Sequence, residues 1–401
     1  MMRHSGTVAR GIRMPIIREG DDLAALIVDS LLETAKYDQL TFADRDIVAI
    51  TEAIVARAQG NYASVDQIAT EAGRKFPSGH VGLVFPITSR NRFAMVLKGI
   101  ARGLSKITLL LSYPTDEVGN AIVEPERFDG SGVNPYTDVL SEAAFYETFG
   151  ENLHPFTGVD YIRYYRELVT AEGCEIDIWF GNDPKEVLKY TKEVLACDVH
   201  TREKTLRALK KGGAEIALSL ADLLVAPVDG SGWNEAFGLL GSNTADAERV
   251  KLFPREPHKV VREVQASLKE ATGKAIEVMI YGDGAFKDPA GKIWELADPV
   301  VSPAYTEGLE GVPSEVKLKY LADTLFADLS GDELQRAMVD YIREKDSHEA
   351  KEGDALGTTP RRLTDLLGSL ADLVSGSGDK GTPVVLIQGY FDSLASGFNA
   401  D

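Results

Sequence analysis

The chain has 401 residues and a formal net charge of −19, a length that accommodates roughly two or three domains. The acidic balance argues against a nucleic-acid partner, because phosphate backbones are held by surplus Lys and Arg, and any small anionic ligand needs local cations or a metal ion. Hydrophobic residues make up 44% of the chain, enough for a large core, yet no run of about 18 apolar residues occurs, so no membrane span is expected.

Met1–Arg10 lacks an apolar stretch of the signal-peptide kind. Cys174 and Cys197 are too few for a disulfide framework and lack C-x-x-C spacing, which fits a reducing cytoplasm and argues against zinc.

In chain order, Leu23, Leu26, Ile27, Leu31 and Leu32 recur at helical spacing and predict a helix over 22–36. A short buried strand is expected from Ile47, followed by an Ala-rich helix or turn. Residues 81–87 are apolar, and Phe93, Leu97, Ile100 and Leu104 mark one helix face after them. Lys106–Ser112 reads as a strand, whereas 113–160 is loop-rich with a short helix near 138–149. Helices are expected at 160–171, 184–195 and 201–211, with a strand at 175–180. Residues 214–227 read as helix running into a short strand, and Asp229-Gly-Ser-Gly as a turn. Helix 257–272, strand 276–281 and a turn at Asp283 follow. Residues 313–350 are mostly helical and charged, and 351–360 form a polar linker.

The end of the chain holds the most informative stretch. An amphipathic helix from Arg362 leads into Gly376, Ser377, Gly378, Asp379, Lys380 and Gly381, and then into an apolar strand. Gly376, Gly378 and Gly381 have G-x-G-x-x-G spacing, but the dinucleotide fingerprint needs the strand first and the helix second. What remains is either a loop whose backbone amides approach an anion or a helix cap followed by a tight turn. No hydrolase elbow, H-E-x-x-H helix or Walker loop occurs.

Met14–Ala24 reads M-P-I-I-R-E-G-D-D-L-A, Asp46–Gly60 ends in A-R-A-Q-G, and Gly238–Asn243 reads G-L-L-G-S-N. With Leu252–Pro257, the strand that delivers Asp283 and the C-terminal loop, these segments resemble the gamma-glutamyl ligase family of coenzyme F-420 biosynthesis. They resemble it in the same order, over about half of the chain. The resemblance implies an α+β fold with mixed β-sheets, in which segments distant in sequence pair and helices flank them. Its ligase-like core comprises 1–75, 236–310 and 356–401, with an inserted α/β domain at 76–235 and a helical insertion at 311–355. It further implies a cytoplasmic homodimer that uses GTP or ATP with Mg²⁺ or Mn²⁺ to join L-glutamate, or a similar amino acid, to a small acidic acceptor through an acyl-phosphate. The acceptor is the F-420 precursor or a folate. The other function class is a non-catalytic nucleotide or metabolite sensor.

Residue by residue, the resemblance places Asp283 and Arg57 in catalysis, with Asp283 and Asp379 as candidate metal ligands. Met14, Pro15, Ile16, Ile17, Thr51, Glu52, Asn243 and the loop Gly376–Gly381 are candidate nucleotide contacts. Three positions depart from the family pattern: Leu240 stands where a metal aspartate is expected, Gly284 replaces a threonine and Ser377 replaces a glutamate. A leucine cannot ligate a metal, which points to Asp379, Asp229 or Glu235 as replacements or to lost chemistry. In the inserted stretch, Arg90 and Arg92 before an amphipathic helix, and His200 in a polar cluster, are candidate anion or substrate contacts. A solvated basic face and a helix cap are the structural alternatives.

Overall fold

The computed structural model describes residues 5–154, 158–282, 285–287, 294–296, 302–313, 315–344, 362–375 and 379–396. Its strands in chain order are β1 (Val8–Ile12), β2 (Ile47–Thr51), β3 (Tyr62–Ser64), β4 (His80–Val84), β5 (Lys106–Leu111), β6 (Leu140–Ser141), β7 (Glu175–Phe180) and β8 (Glu193–Ala196). They continue with β9 (Ile216–Ser219), β10 (Asn243–Thr244), β11 (Arg249–Lys251), β12 (Glu277–Tyr281), β13 (Ala285–Lys287), β14 (Trp294–Leu296), β15 (Ala304–Tyr305) and β16 (Val384–Gln388). The first four helices are α1 (Leu23–Tyr37), α2 (Glu52–Ala58), α3 (Val65–Lys75) and α4 (Phe93–Gly103).

A five-stranded mixed sheet of order β1-β16-β2-β12-β15 joins the two ends of the chain. β16 pairs antiparallel with both β1 and β2, and β2 pairs parallel with β12. The apolar runs of β2 and β16 are buried on both faces, as central strands require. On one face lie Ile27 and Leu31 of α1 with Val261, Val264 and Leu268 of the helix Pro257–Thr272. On the other lie Leu363, Leu367 and Ala371 of the helix Leu363–Val374. At the far end of β16, Gln388 donates to Asp46 at 2.7 Å and accepts from Arg10 at 3.0 Å, which ties three strands together. The mixed-sheet fold with pairing between distant segments is therefore observed.

A second sheet lies within residues 80–219, with order β6-β7-β5-β4-β8-β9. Its five long strands are all parallel, and numbered by their own sequence order they run 3-2-1-4-5. This is a doubly wound arrangement whose strand order reverses between β4 and β8. The helix expected over 184–195 is a short 3-10 turn, Pro184–Lys189, followed by β8. Residues 216–219 are strand rather than helix, with a 3-10 turn at Leu220–Asp222 after them. Short apolar runs are ambiguous by period alone, and pairing with β4 and β8 decides these two.

One apolar cluster joins this second sheet to α3 and to Leu239, Leu240, Val250 and Leu252. Its tightest point is the crossing of α3 and α4. A β-carbon at Gly99 would collide with Ile68, and one at Gly103 with the carbonyl of Ala69. Backbone cannot give way as a flexible side chain can, so Gly103→Val should cost about 1–3 kcal/mol, the usual range for overpacking. Chemical denaturation is expected to show a lower midpoint at unchanged slope, with Lys98→Ala on the outer part of α4 losing less.

Candidate functional site

The register of the five-stranded sheet brings most of the singled-out segments to one edge. Ile12 pairs with Val384, Val384 with Ile50, and Thr51 with Tyr281. The ends of β1, β2 and β12 and the start of β16 therefore lie side by side. The segment Met14–Ile17 leaves this edge after β1, Glu52 follows β2, Gly282 follows β12, and residues 379–383 lead into β16. Two backbone hydrogen bonds of 3.0 Å fasten them, from Met14 to Gly381 and from Thr51 to Pro383. Ile17 is buried beneath, whereas Ile16 is 79% exposed, an apolar side chain presented to solvent at the edge.

The E-G-D-D segment packs on the end of α2. Gly20 N–H donates to Ala58 at 2.9 Å. Gly60 has φ +59, and a β-carbon there would fall inside the Glu19 carboxyl group. Asp22 caps α1 by accepting from Ala25, and Asp21 accepts from Arg18, so both aspartates serve local turns.

Glu52 in the first turn of α2 is buried and forms an ion pair with Lys251 of β11. Lys251 lies opposite Asn243 of β10 in the small sheet β10-β11-β3. The neighbour of Asn243, Thr244, donates through its N–H and its hydroxyl to the Asn91 carbonyl, at 2.7 and 2.9 Å. A continuous path of polar groups thus runs from Thr51 through Glu52, Lys251 and Asn243–Thr244 to the loop Ser89–Arg92. Lys251 was not among the residues singled out in the sequence. Its position, a cation immediately before the Leu252-Phe253-Pro254 turn, was the available signal.

The remaining candidates are placed as follows. Arg57 is exposed in the last turn of α2, roughly 9 Å along the helix axis from Thr51. Asp379 and Lys380 are exposed at the edge. Asp283, Gly284 and Gly376–Gly378 lie outside the described residues. Leu240 is fully buried in the apolar cluster shared with the second sheet, and Asp229 turns to Arg74 at 3.5 Å. Glu235 is exposed. Among the described residues no group of three His, Cys, Asp or Glu could hold a metal ion. These donors do not fit a two-metal centre: one expected position is aliphatic and packed, and Glu52 already faces a lysine ammonium.

At the carboxyl end of the second sheet, Arg90 and His200 are exposed and Arg92 is half-buried. Ser89 Oγ accepts from Arg92 N–H at 3.2 Å as α4 begins. Between the ends of β4 and β8 lies a small cleft, partly open to solvent, to which both Arg92 and Leu240 contribute. Glu117 accepts from the backbone N–H groups of Val199, His200 and Thr201. Asp198 accepts from the hydroxyls of Thr201 and Thr205, at 2.6 and 2.7 Å. Burial raises both carboxyls above the ordinary carboxylate range. His200 is thus brought to this second edge by its backbone, and no local pattern marks Glu117 as its partner.

The Glu52–Lys251 pair lends itself to a stability test. Both side chains are largely shielded, at 7% and 14% exposure. Removing one partner of a shielded pair leaves the other charge desolvated. Lys251→Met should therefore destabilise the fold by about 3 kcal/mol. The double variant Lys251→Met/Glu52→Gln should recover part of that loss in the same denaturation assay.

Among the described residues no helix is long and apolar enough to cross a membrane. Comparison with curated proteins gives no match. A family model described as F420-0:Gamma-glutamyl ligase matches residues 11–389, from the end of β1 to just past β16. The match spans both sheets and every described segment that converges on the first edge. The chain therefore belongs to the F420-0:gamma-glutamyl ligase family, whose members form C–N bonds by ligating glutamate to F420-0.

Proposed function

We propose that this protein attaches L-glutamate to F420-0 at the edge of the five-stranded sheet, using GTP. The observation that supports this reading most is the convergence of Met14–Ile17, Thr51–Glu52, Gly282 and residues 379–383 at one edge. An acceptor carboxylate oxygen attacks the γ-phosphorus of the nucleotide, and the nucleoside diphosphate departs. The amine of glutamate then attacks the activated carbonyl carbon, phosphate leaves, and the amine gives up a proton. In a chain of net charge −19, this chemistry depends on local cations, and Lys251, Lys380 and Arg57 are candidates on the segments that meet at or lead away from the edge.

Within this reading the exposed Ile16 packs on the nucleotide base, and the backbone of residues 379–381 approaches its phosphates with Lys380 adding charge. Asp283 follows the strand that ends beside Thr51 and takes the role of the functional carboxylate. A homodimer is part of the same proposal, to be checked by light scattering at micromolar concentration.

The deciding experiment is mass spectrometry of reactions containing F420-0, glutamate, GTP or ATP, and Mg²⁺ or Mn²⁺. A product carrying one added glutamyl residue is expected. Transfer to a folate acceptor alone would redirect the substrate assignment. Nucleotide binding with neither product nor hydrolysis would favour a sensor, a reading supported by the packed Leu240. Asp283→Asn should abolish turnover with little change in melting temperature. Lys380→Ala should weaken nucleotide binding by about tenfold for each 1.4 kcal/mol lost, measured by calorimetric titration.

A further inference from the structure

The inserted doubly wound sheet has a crevice where ligands of such sheets bind, outside the carboxyl ends of the strands at the point where strand order reverses. Here that point lies between β4 and β8, and the cleft found there is built from three parts of the chain. Ile87 and Phe93 follow β4, Val199 follows β8, and Leu239 and Leu240 come from the turn that precedes β10. Arg92 is the charged residue in its lining among the described residues. Arg90, two residues earlier, is exposed and has no hydrogen-bond or carboxylate partner among the described residues.

The placement of this cleft relative to the first edge gives it meaning. Asn91, between the two arginines, is the residue whose carbonyl holds Thr244. Through Asn243, Lys251 and Glu52, the arginine loop is thereby fixed to the strand end at Thr51. The substrate to be glutamylated must bring a free carboxyl group and is an anion, whereas the protein is strongly acidic. A partly enclosed apolar cleft with arginine at its wall suits a molecule with an apolar body and negative charge.

We propose that the Ser89–Arg92 loop and the adjoining cleft bind the anionic acceptor, with Arg90 and Arg92 taking its charge while its reacting carboxyl group reaches the sheet edge. The assignment rests on the ligase reading and adds to it the element that selects the acceptor. Asp198, between two residues that line the cleft, has a buried Oδ1 with no hydrogen-bond partner among the described residues.

Steady-state kinetics with F420-0 as the varied substrate test this. The double variant Arg90→Ala/Arg92→Ala is expected to raise the acceptor KM about tenfold or more. The kcat and the KM values for nucleotide and glutamate should stay within about twofold, and lysine at both positions should restore part of the loss. Arg90→Ala alone, at an exposed position, should show a smaller rise in the same constant without loss of melting temperature. Wild-type acceptor KM should also climb with ionic strength, and that of the double variant should climb less. An acceptor KM within twofold of wild type in the double variant, with turnover intact, overturns the assignment and leaves the ligase reading standing. Equal rises in all three KM values overturn it as well. A wild-type protein that turns over no F420-0 removes the ligase reading, and this assignment with it.

Discussion

β16 lies between β1 and β2 and pairs antiparallel with both, and the rest of the molecule is arranged around that pairing. An antiparallel strand begins where its neighbours end. A chain terminus threaded between two N-terminal strands therefore places its preceding loop beside the loops that follow them. The parallel partner β12 then adds a fourth connection at the same level. Residues some 370 positions apart become neighbours through hydrogen-bond register alone, as the bond between Met14 and Gly381 shows.

The second sheet is coupled to this arrangement by apolar contacts and by a polar seam. Leu240 explains much about the coupling. At the position where the resemblance leads one to expect a metal-binding aspartate, a leucine is fully buried against the second sheet. An ionised carboxylate there would be desolvated among aliphatic side chains, at a cost of several kcal/mol unless paired. The departure in sequence is thus accounted for by packing: the turn before β10 has become part of the wall between the two sheets.

Much of this was legible in the chain itself. Helix α1 announces itself through Leu23, Ile27 and Leu31, all of which are buried, and the apolar runs of β2, β5 and β16 are the strands they appear to be. The family resemblance rested on segments that do meet in space. Less accessible were features decided by register and by distant partners. β8 has four residues, and its sequence reads equally well as a helix until β4 and β9 hydrogen-bond to it. The parallel order of the second sheet leaves no local trace, because the strand-to-helix turn after β4 has no glycines to mark it. Lys251 and Glu52 are separated by 199 residues, and neither carries a local signal of the other. For Arg57, the family resemblance indicated a cation in that segment, and the helix carries it to an exposed last turn.

The glycine crossing of α3 and α4 has a consequence for how such a protein can be divided. Helix α3 enters the chain before the second sheet begins, yet it is seated against α4 with almost no space between backbones. Ala63, Val65, Ile68, Ala72 and Phe76 share their apolar cluster with Leu83, Leu97 and Leu109. Cutting the chain at 80 and 219 and closing the gap would leave that side of α3, together with Leu239, Leu240, Val250 and Leu252, facing water. The second sheet is therefore not a detachable cassette. A shortened descendant of this chain would need new polar residues along α3 and the β10–β11 hairpin before it could stay monodisperse.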